Sequence, residues 1–318
     1  MMRWSGGGCD PRRAGVPRRQ AGATLIELMI AMAIGLVMIL ALTRVYLASA
    51  ESAADATAQA RLMDKARLLQ ERFDSEFRRA DFWGRVPADA ERRGTLTLGG
   101  DCDGDFAFGR GAQAASDRPL GVWASTTQPK ACSLQSPLAN QTYVVIRYAA
   151  EPCAAAGCGG PALKSFYPFA SFFDGTPPAE PARADTHDLW RYGGSLYYLS
   201  RQNGDTALRR LRLVGKSLSN QEVLEGVEAL AYRWYVANAG GGGGSWQSSA
   251  NLSAAMAPRI QAAQIEAVVS VATRATYQDP RQYALSDGTQ VAPVGGRLYR
   301  ELAFVVPLEM HRPGGGNG

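Results

Sequence analysis

The chain has 318 residues, 34 of them basic and 29 acidic, with five cysteines, two histidines, 35 glycines and 17 prolines. Its 46% hydrophobic content is that of a folded rather than a disordered protein, long enough for one large domain or two small ones. The formal charge of +5 does not indicate a nucleic-acid partner: removing Arg3, Arg12, Arg13, Arg18, Arg19 and Asp10 from the count leaves 29 basic against 28 acidic residues.

Residues 1–22 read as a basic leader rather than as structure. From Ala23 to Thr43 there are 21 residues and one charge, Glu27. As a helix this run is roughly 31 Å long, about the thickness of a bilayer core, so 23–43 is expected to span a membrane. The five arginines before it predict a cytoplasmic N-terminus and an exported remainder. A carboxylate inside a membrane helix costs a few kcal/mol and usually has a partner. If the bond before Ala23 is cut, the new α-amino group of one subunit lies at the membrane depth of Glu27 in a neighbour.

These residues resemble the class III signal of type IV pilins: a short basic leader ending in Gly, a cut, then an apolar helix with Glu at its fifth position. Gly22 stands before the cut, Ala23 at the methylated first position, usually Phe in the family, and Glu27 at the fifth. Arg44 occupies the place where many major pilins carry proline. The resemblance implies cleavage and N-methylation by a prepilin peptidase.

Arg44 to Trp83 contains no Pro and no Gly and is expected to continue the helix, with Gly84 and Pro87 as its stop. Leu62, Ala66, Leu69, Phe73 and Phe77 recur every three or four residues, a stripe that should lie on a sheet. Over 88–190, short strands are expected at Leu96–Leu98, Phe106–Phe108, Leu120–Trp123 and Thr142–Ala149, with an exposed loop at Thr176–Pro181.

Ser195–Ser200 and Leu208–Val214 flank Asn203-Gly204, a hairpin signal. Val227–Val236, Ile265–Arg274 and Leu298–Leu308 alternate with period two, which predicts a half-buried antiparallel sheet, with Pro307 at an edge or strand end. Gly240–Gly244 reads as a flexible linker between two strands, and Pro313–Gly318 as a disordered tail. The expected fold is therefore α+β: a long N-terminal helix over 23–83 packed on an antiparallel β-sheet domain over 84–312.

Cys9 lies in the leader, leaving Cys102, Cys132, Cys153 and Cys158 for two disulfides in an exported domain, with three possible connectivities. Cys153–Cys158 would close a short loop, with Cys102–Cys132 as the remainder. Zinc-like spacing is absent. Asp101, Asp103 and Asp105 alternate as in calcium loops, but glycine falls at the fourth place and no later bidentate Glu follows, so an acidic turn is expected. His187 and His311 have no Gly-x-Ser-x-Gly elbow beside them, and Gly215-Lys216-Ser217 lacks the earlier glycine of a P-loop, Arg210 standing there. No enzyme activity, cofactor or metal is expected. Tyr197, Tyr198, Tyr232, Trp234 and Tyr235 sit at strand spacing and read as core and cross-strand pairs.

The order Leu224-Glu225-Gly226-Val227, an aromatic strand, a Gly-rich insert, Ile265-Glu266-Ala267-Val268 and Leu298-Tyr299-Arg300 resembles the C-terminal half of the PilW family of minor pilins. That resemblance implies a non-catalytic subunit that primes or caps type IV pilus assembly, with other minor pilins, the major pilin and a tip adhesin as partners. It also implies residence in the inner membrane with a periplasmic domain, then in the pilus fibre, with roles in twitching and adhesion. A minor pseudopilin of a type II secretion system shares the same leader. A membrane-anchored carbohydrate-binding protein is the alternative from another class.

Overall fold

The computed structural model describes residues 22, 24–83, 91–94, 96–109, 120–153, 158–166, 169–176, 188–202, 204–248 and 250–308. The expectations for the leader over 1–21, Ala23, Gly84, Pro87, the loop at 177–181, His187, Asn203, His311 and the tail at 313–318 lie outside them. The chain separates into two compact units, Met1–Ala53 and Ala54–Gly318.

In the first unit, helix α1 (Leu25–Phe77) begins. Leu, Ile, Met and Ala are good or tolerable helix formers, and Gly35 is the one weak residue of the apolar run. Apart from Gly35, every described residue from Thr24 to Ala53 is exposed. The helix is long and apolar enough to cross a membrane.

In the second unit the last part of α1 turns its apolar stripe inward: Leu62, Leu69, Phe73 and Phe77 are buried and Ala66 packs beside them. Two sheets receive it. The first comprises β1 (Glu91–Arg93), β2 (Val122–Ser125), β3 (Tyr143–Pro152), β4 (Pro161–Phe166), β5 (Phe169–Asp174), β6 (Asp188–Gln202), β7 (Asp205–Val214) and β8 (Ser217–Glu225). Its order is β1-β5-β4-β6-β3-β2, with β7 pairing β6 and β8 pairing β7; only β1–β5 is parallel. The second is built from β9 (Val227–Ala237), β10 (Gly244–Gln247) and β11 (Ile260–Ala272); after a small hairpin, β12 (Tyr283–Ala284) with β13 (Gln290–Val291), comes β14 (Arg297–Pro307). The order is β10-β9-β11-β14, all antiparallel, with β14 at the edge and Pro307 at its end.

Both sheets and the helix share one core. Phe73 lies 5.2 Å from the Tyr197 ring of the first sheet and 6.4 Å from the Tyr232 ring of the second, and Phe77 stacks near Trp234 at 6.3 Å. Strand alternation sends Tyr197 and Leu199 into this core and Tyr192, Leu196 and Tyr198 into a second one with Trp83 on the opposite face of the first sheet. A buried ion pair ties helix to sheet: Arg210 Nη1 lies 2.9 Å from Glu76 Oε1, with both side chains under a tenth exposed. Arg210 also donates to Gln221, so the pair is hydrogen-bonded beyond its own contact, the condition for burying charge.

Several expectations are corrected. The helix ends at Phe77, not Trp83: Asp81 takes a positive φ of 66°, its N–H donates to the Arg147 carbonyl, and Trp83 is buried in the second core. Tertiary hydrogen bonds outweigh helix propensity there. Leu96–Leu98 forms no strand, and Gly104–Phe106 is a 3-10 turn. In that segment the Asp101 carboxylate accepts the N–H groups of Cys102, Phe108 and Gly109 at 2.7–2.8 Å, so a side chain replaces a sheet ladder. Gly240–Gly243 is the turn of the β9–β10 hairpin rather than a linker, and Gly244 opens β10. The second sheet is not simply half-buried, because Tyr283 and Leu285 cover Ala229, Ala231 and Val268 on its far face. Strands β4, β5 and β8 were not expected. The sequence of β8, Ser-Leu-Ser-Asn-Gln-Glu-Val-Leu-Glu, is too polar to announce a strand and is held by its ladder to β7.

Candidate functional site

The first turn of α1 is closed by its own side chains. The Thr24 carbonyl accepts the Leu28 N–H at 3.2 Å, which makes Thr24 the N-cap. Thr24 N and Oγ1 donate to Glu27 Oε2 at 3.0 and 3.1 Å, and Glu27 N donates back to Thr24 Oγ1 at 3.4 Å. This is a capping box, in which the reciprocal bonds satisfy helix N–H groups that otherwise have no intrahelical partner. Sequence reading singled out Glu27 and passed over Thr24, although Thr-x-x-Glu before an apolar run is the signal for the motif. Among the described residues Glu27 Oε1 makes no hydrogen bond, so one oxygen holds the helix start and the other faces out.

Gly22 is exposed, and among the described residues nothing lies within 4 Å of where a Cβ would stand. Beyond the box the side chains present an unbroken apolar surface, with Leu25 77%, Ile26 66% and Leu36 63% exposed. Such a continuous exposed apolar surface is an interaction surface for lipid or for other apolar helices.

The remaining sequence-selected residues are all in the second unit. The structure pairs Cys102 with Cys132 and Cys153 with Cys158. Tyr197, Tyr198, Tyr232 and Trp234 are enclosed in the cores, while Tyr235 is half-buried against Trp246. Among the described residues no group of three or more His, Cys, Asp or Glu is placed to hold a metal.

Two carboxyls of this unit have displaced pKa values. Burial pushes Asp81 up to about 7, against the opposing hydrogen bonds from Trp83 and the Gly121 backbone; the Trp83 Nε1 donor lies 2.8 Å away. Gly121 must be glycine, because an added Cβ would stand 2.3 Å from Asp81 atoms. Asp279 is held down at about 2, chiefly by hydrogen bonding from Arg281 at 3.0 Å. Asp81 holds the segment after α1 through Trp83, and Asp279 also accepts from the Tyr283 hydroxyl at 2.9 Å, so each carboxyl ties its loop in place.

Residues 17–43 match the prokaryotic N-terminal methylation motif, which the chain therefore carries. No curated protein matches the sequence. Among solved structures, the chain is similar to a type IV-like pilin from Thermus thermophilus, at 16% identity and a TM-score of 0.37, over 79% of this chain and 99% of that one.

Proposed function

We propose that the chain is a type IV pilin-like assembly subunit, a minor pilin of the PilW type, non-catalytic and stored in the inner membrane before it enters a filament. One observation carries the reading: the methylation motif, Gly22, Glu27 and an exposed apolar helix coincide in a single register. A prepilin peptidase cuts after Gly22 and methylates Ala23. The capping box uses the N–H of Thr24, which the cut retains, so the helix start survives processing. Oε1 of Glu27 then meets the α-amine of a neighbouring minor or major pilin. The desolvation cost of such a pair is large, so it contributes register more than affinity. A helix so apolar leaves the bilayer only when a bundle of similar helices replaces the lipid. A tip adhesin is the further partner, and the arginines of the leader keep the N-terminus cytoplasmic and the second unit periplasmic.

Mass spectrometry of the N-terminus from native membranes is expected to find N-methylated Ala23. Glu27→Ala is expected to leave the subunit inserted at normal levels while partner recovery and piliation fall; wild-type filament numbers at equal subunit level would remove the pairing role. Deletion of the gene is expected to abolish twitching and spare secretion. The reverse phenotype would assign the chain to a type II secretion pseudopilus, and retention of specific glycans by the purified chain would favour a carbohydrate-binding role.

A further inference from the structure

A cleft of about 420 Å³ opens in the second unit where the turn after α1 meets β3, β6 and β7. Three guanidinium groups line it, those of Arg79, Arg191 and Arg212, together with one carboxylate, Glu151. Arg191 Nη1 pairs with Glu151 Oε1 at 3.0 Å, and both side chains are more than half exposed. Arg79 and Arg212 take no carboxylate partner among the described residues. Both lie within electrostatic reach of the Tyr148 phenol in the wall of the cleft. That phenol donates to Glu76 at 3.3 Å, and Glu76 is itself matched by Arg210, as Glu151 is by Arg191, so among the described lining residues no unmatched acid faces Arg79 and Arg212.

Gly160 and Gly193 stand in the wall. A Cβ on Gly193 would stand 3.0 Å from a ring carbon of Tyr148, so glycine there lets the ring lie close against β6. Uncompensated positive charge in a concave site focuses its field on the space in front of it. A guanidinium fork matches the oxygens of an oxyanion two at a time. Two free guanidinium groups call for a dianion: a carboxylate would leave one of them unmatched, whereas a phosphate carries close to two negative charges at pH 7.

We propose that this cleft binds a phosphate group, either free or as a monoester. Arg79 and Arg212 supply the forks, and Arg191 joins them by exchanging Glu151 for the ligand. The proposal is independent of the assembly role. It is tested on the full chain in detergent, titrated with inorganic phosphate and, in parallel, glycerol 3-phosphate, at an ionic strength held constant with chloride. Thermal unfolding and ³¹P line width are the readouts. Saturable binding is expected, and the tighter of the two probes distinguishes the free ion from the ester. Arg79→Gln with Arg212→Gln should weaken binding at least about tenfold, since each charge-assisted bond lost is worth that order. The double lysine variant should fall between, keeping charge without the fork. Glu151→Gln should tighten binding a few-fold by freeing Arg191. No saturable response to either probe, or equal affinity in the wild type and the double Gln variant, overturns the proposal.

Discussion

The two parts of helix α1 have the same secondary structure and opposite surroundings. Over Leu28–Leu42 the side chains are apolar on every side and, Gly35 apart, exposed, with Leu36 at 63% and Ile39 at 64%. Over Ala54–Phe77 one stripe is enclosed, with Leu69 at 1% and Phe73 at 0%, while Arg67 and Glu71 pair in solvent at 2.7 Å. Helix propensity does not separate the two parts; what they are solvated by does. The second part is positioned by close packing, in which volume changes are felt directly. Among the described residues the first has no such packing: its apolar side chains are left exposed.

A pair of truncations gives the largest contrast. Phe73→Ala removes a ring packed against Tyr197, Tyr232 and Phe304, and is expected to cost about 3–5 kcal/mol of domain stability in denaturant titrations of the full chain. Leu36→Ala should leave that transition where it is. Equal effects would mean that the first part is also packed. Next come the disulfides, which staple only the second unit. Opening Cys102–Cys132, 30 residues apart, should destabilise it more than opening Cys153–Cys158, 5 apart, by about 1.5 kcal/mol on chain entropy. Paired Cys→Ser variants compared by thermal unfolding would show the opposite order if strain rather than loop length governs.

The pH response should also belong to the second unit alone. Asp81 titrates at about 7 when folded against an ordinary 3.8, so the folded state binds the extra proton between those values. Its contribution is full below about pH 4 and is lost as pH rises through 7, on the order of 2 kcal/mol once the site relaxes. Asp279 has the opposite sign: held at about 2, it contributes above pH 4 and loses that contribution as pH falls through 2. Unfolding curves from pH 4 to 8 should slope downward in the wild type and flatten in Asp81→Asn; an unchanged slope removes Asp81 as the cause. The smallest effect is expected from Thr24→Ala, which opens the capping box. Amide exchange at Leu25–Leu28 should quicken while the unfolding transition of the second unit stays fixed.

Local pattern made the candidate segment readable. Gly22, Glu27 and the apolar run stand within about 20 residues, and the stripe from Leu62 to Phe77 has the helical period, so their spacing alone implied a membrane-length helix with an amphipathic continuation. Period two likewise marked β9, β11 and β14. Other features depend on contacts far apart in the chain. Strand β8 exists because β7 offers a ladder, the helix ends at Phe77 because Arg147 and the second core draw Asp81 and Trp83 away, and a carboxylate of Asp101 replaces strand pairing over 102–109. Arg147 is buried and donates to the carbonyls of Ala107 and Leu120, 40 and 27 residues away in the chain. The three arginines of the phosphate cleft lie at positions 79, 191 and 212, and only the packing of the turn after α1 against the sheet brings them together. Sequence determined what depends on neighbours along the chain: the leader register, the capping box and the helix and strand periods. Tertiary structure alone decided which polar groups are buried together, because a hydrogen bond or a shared cleft between distant residues leaves no period in the chain.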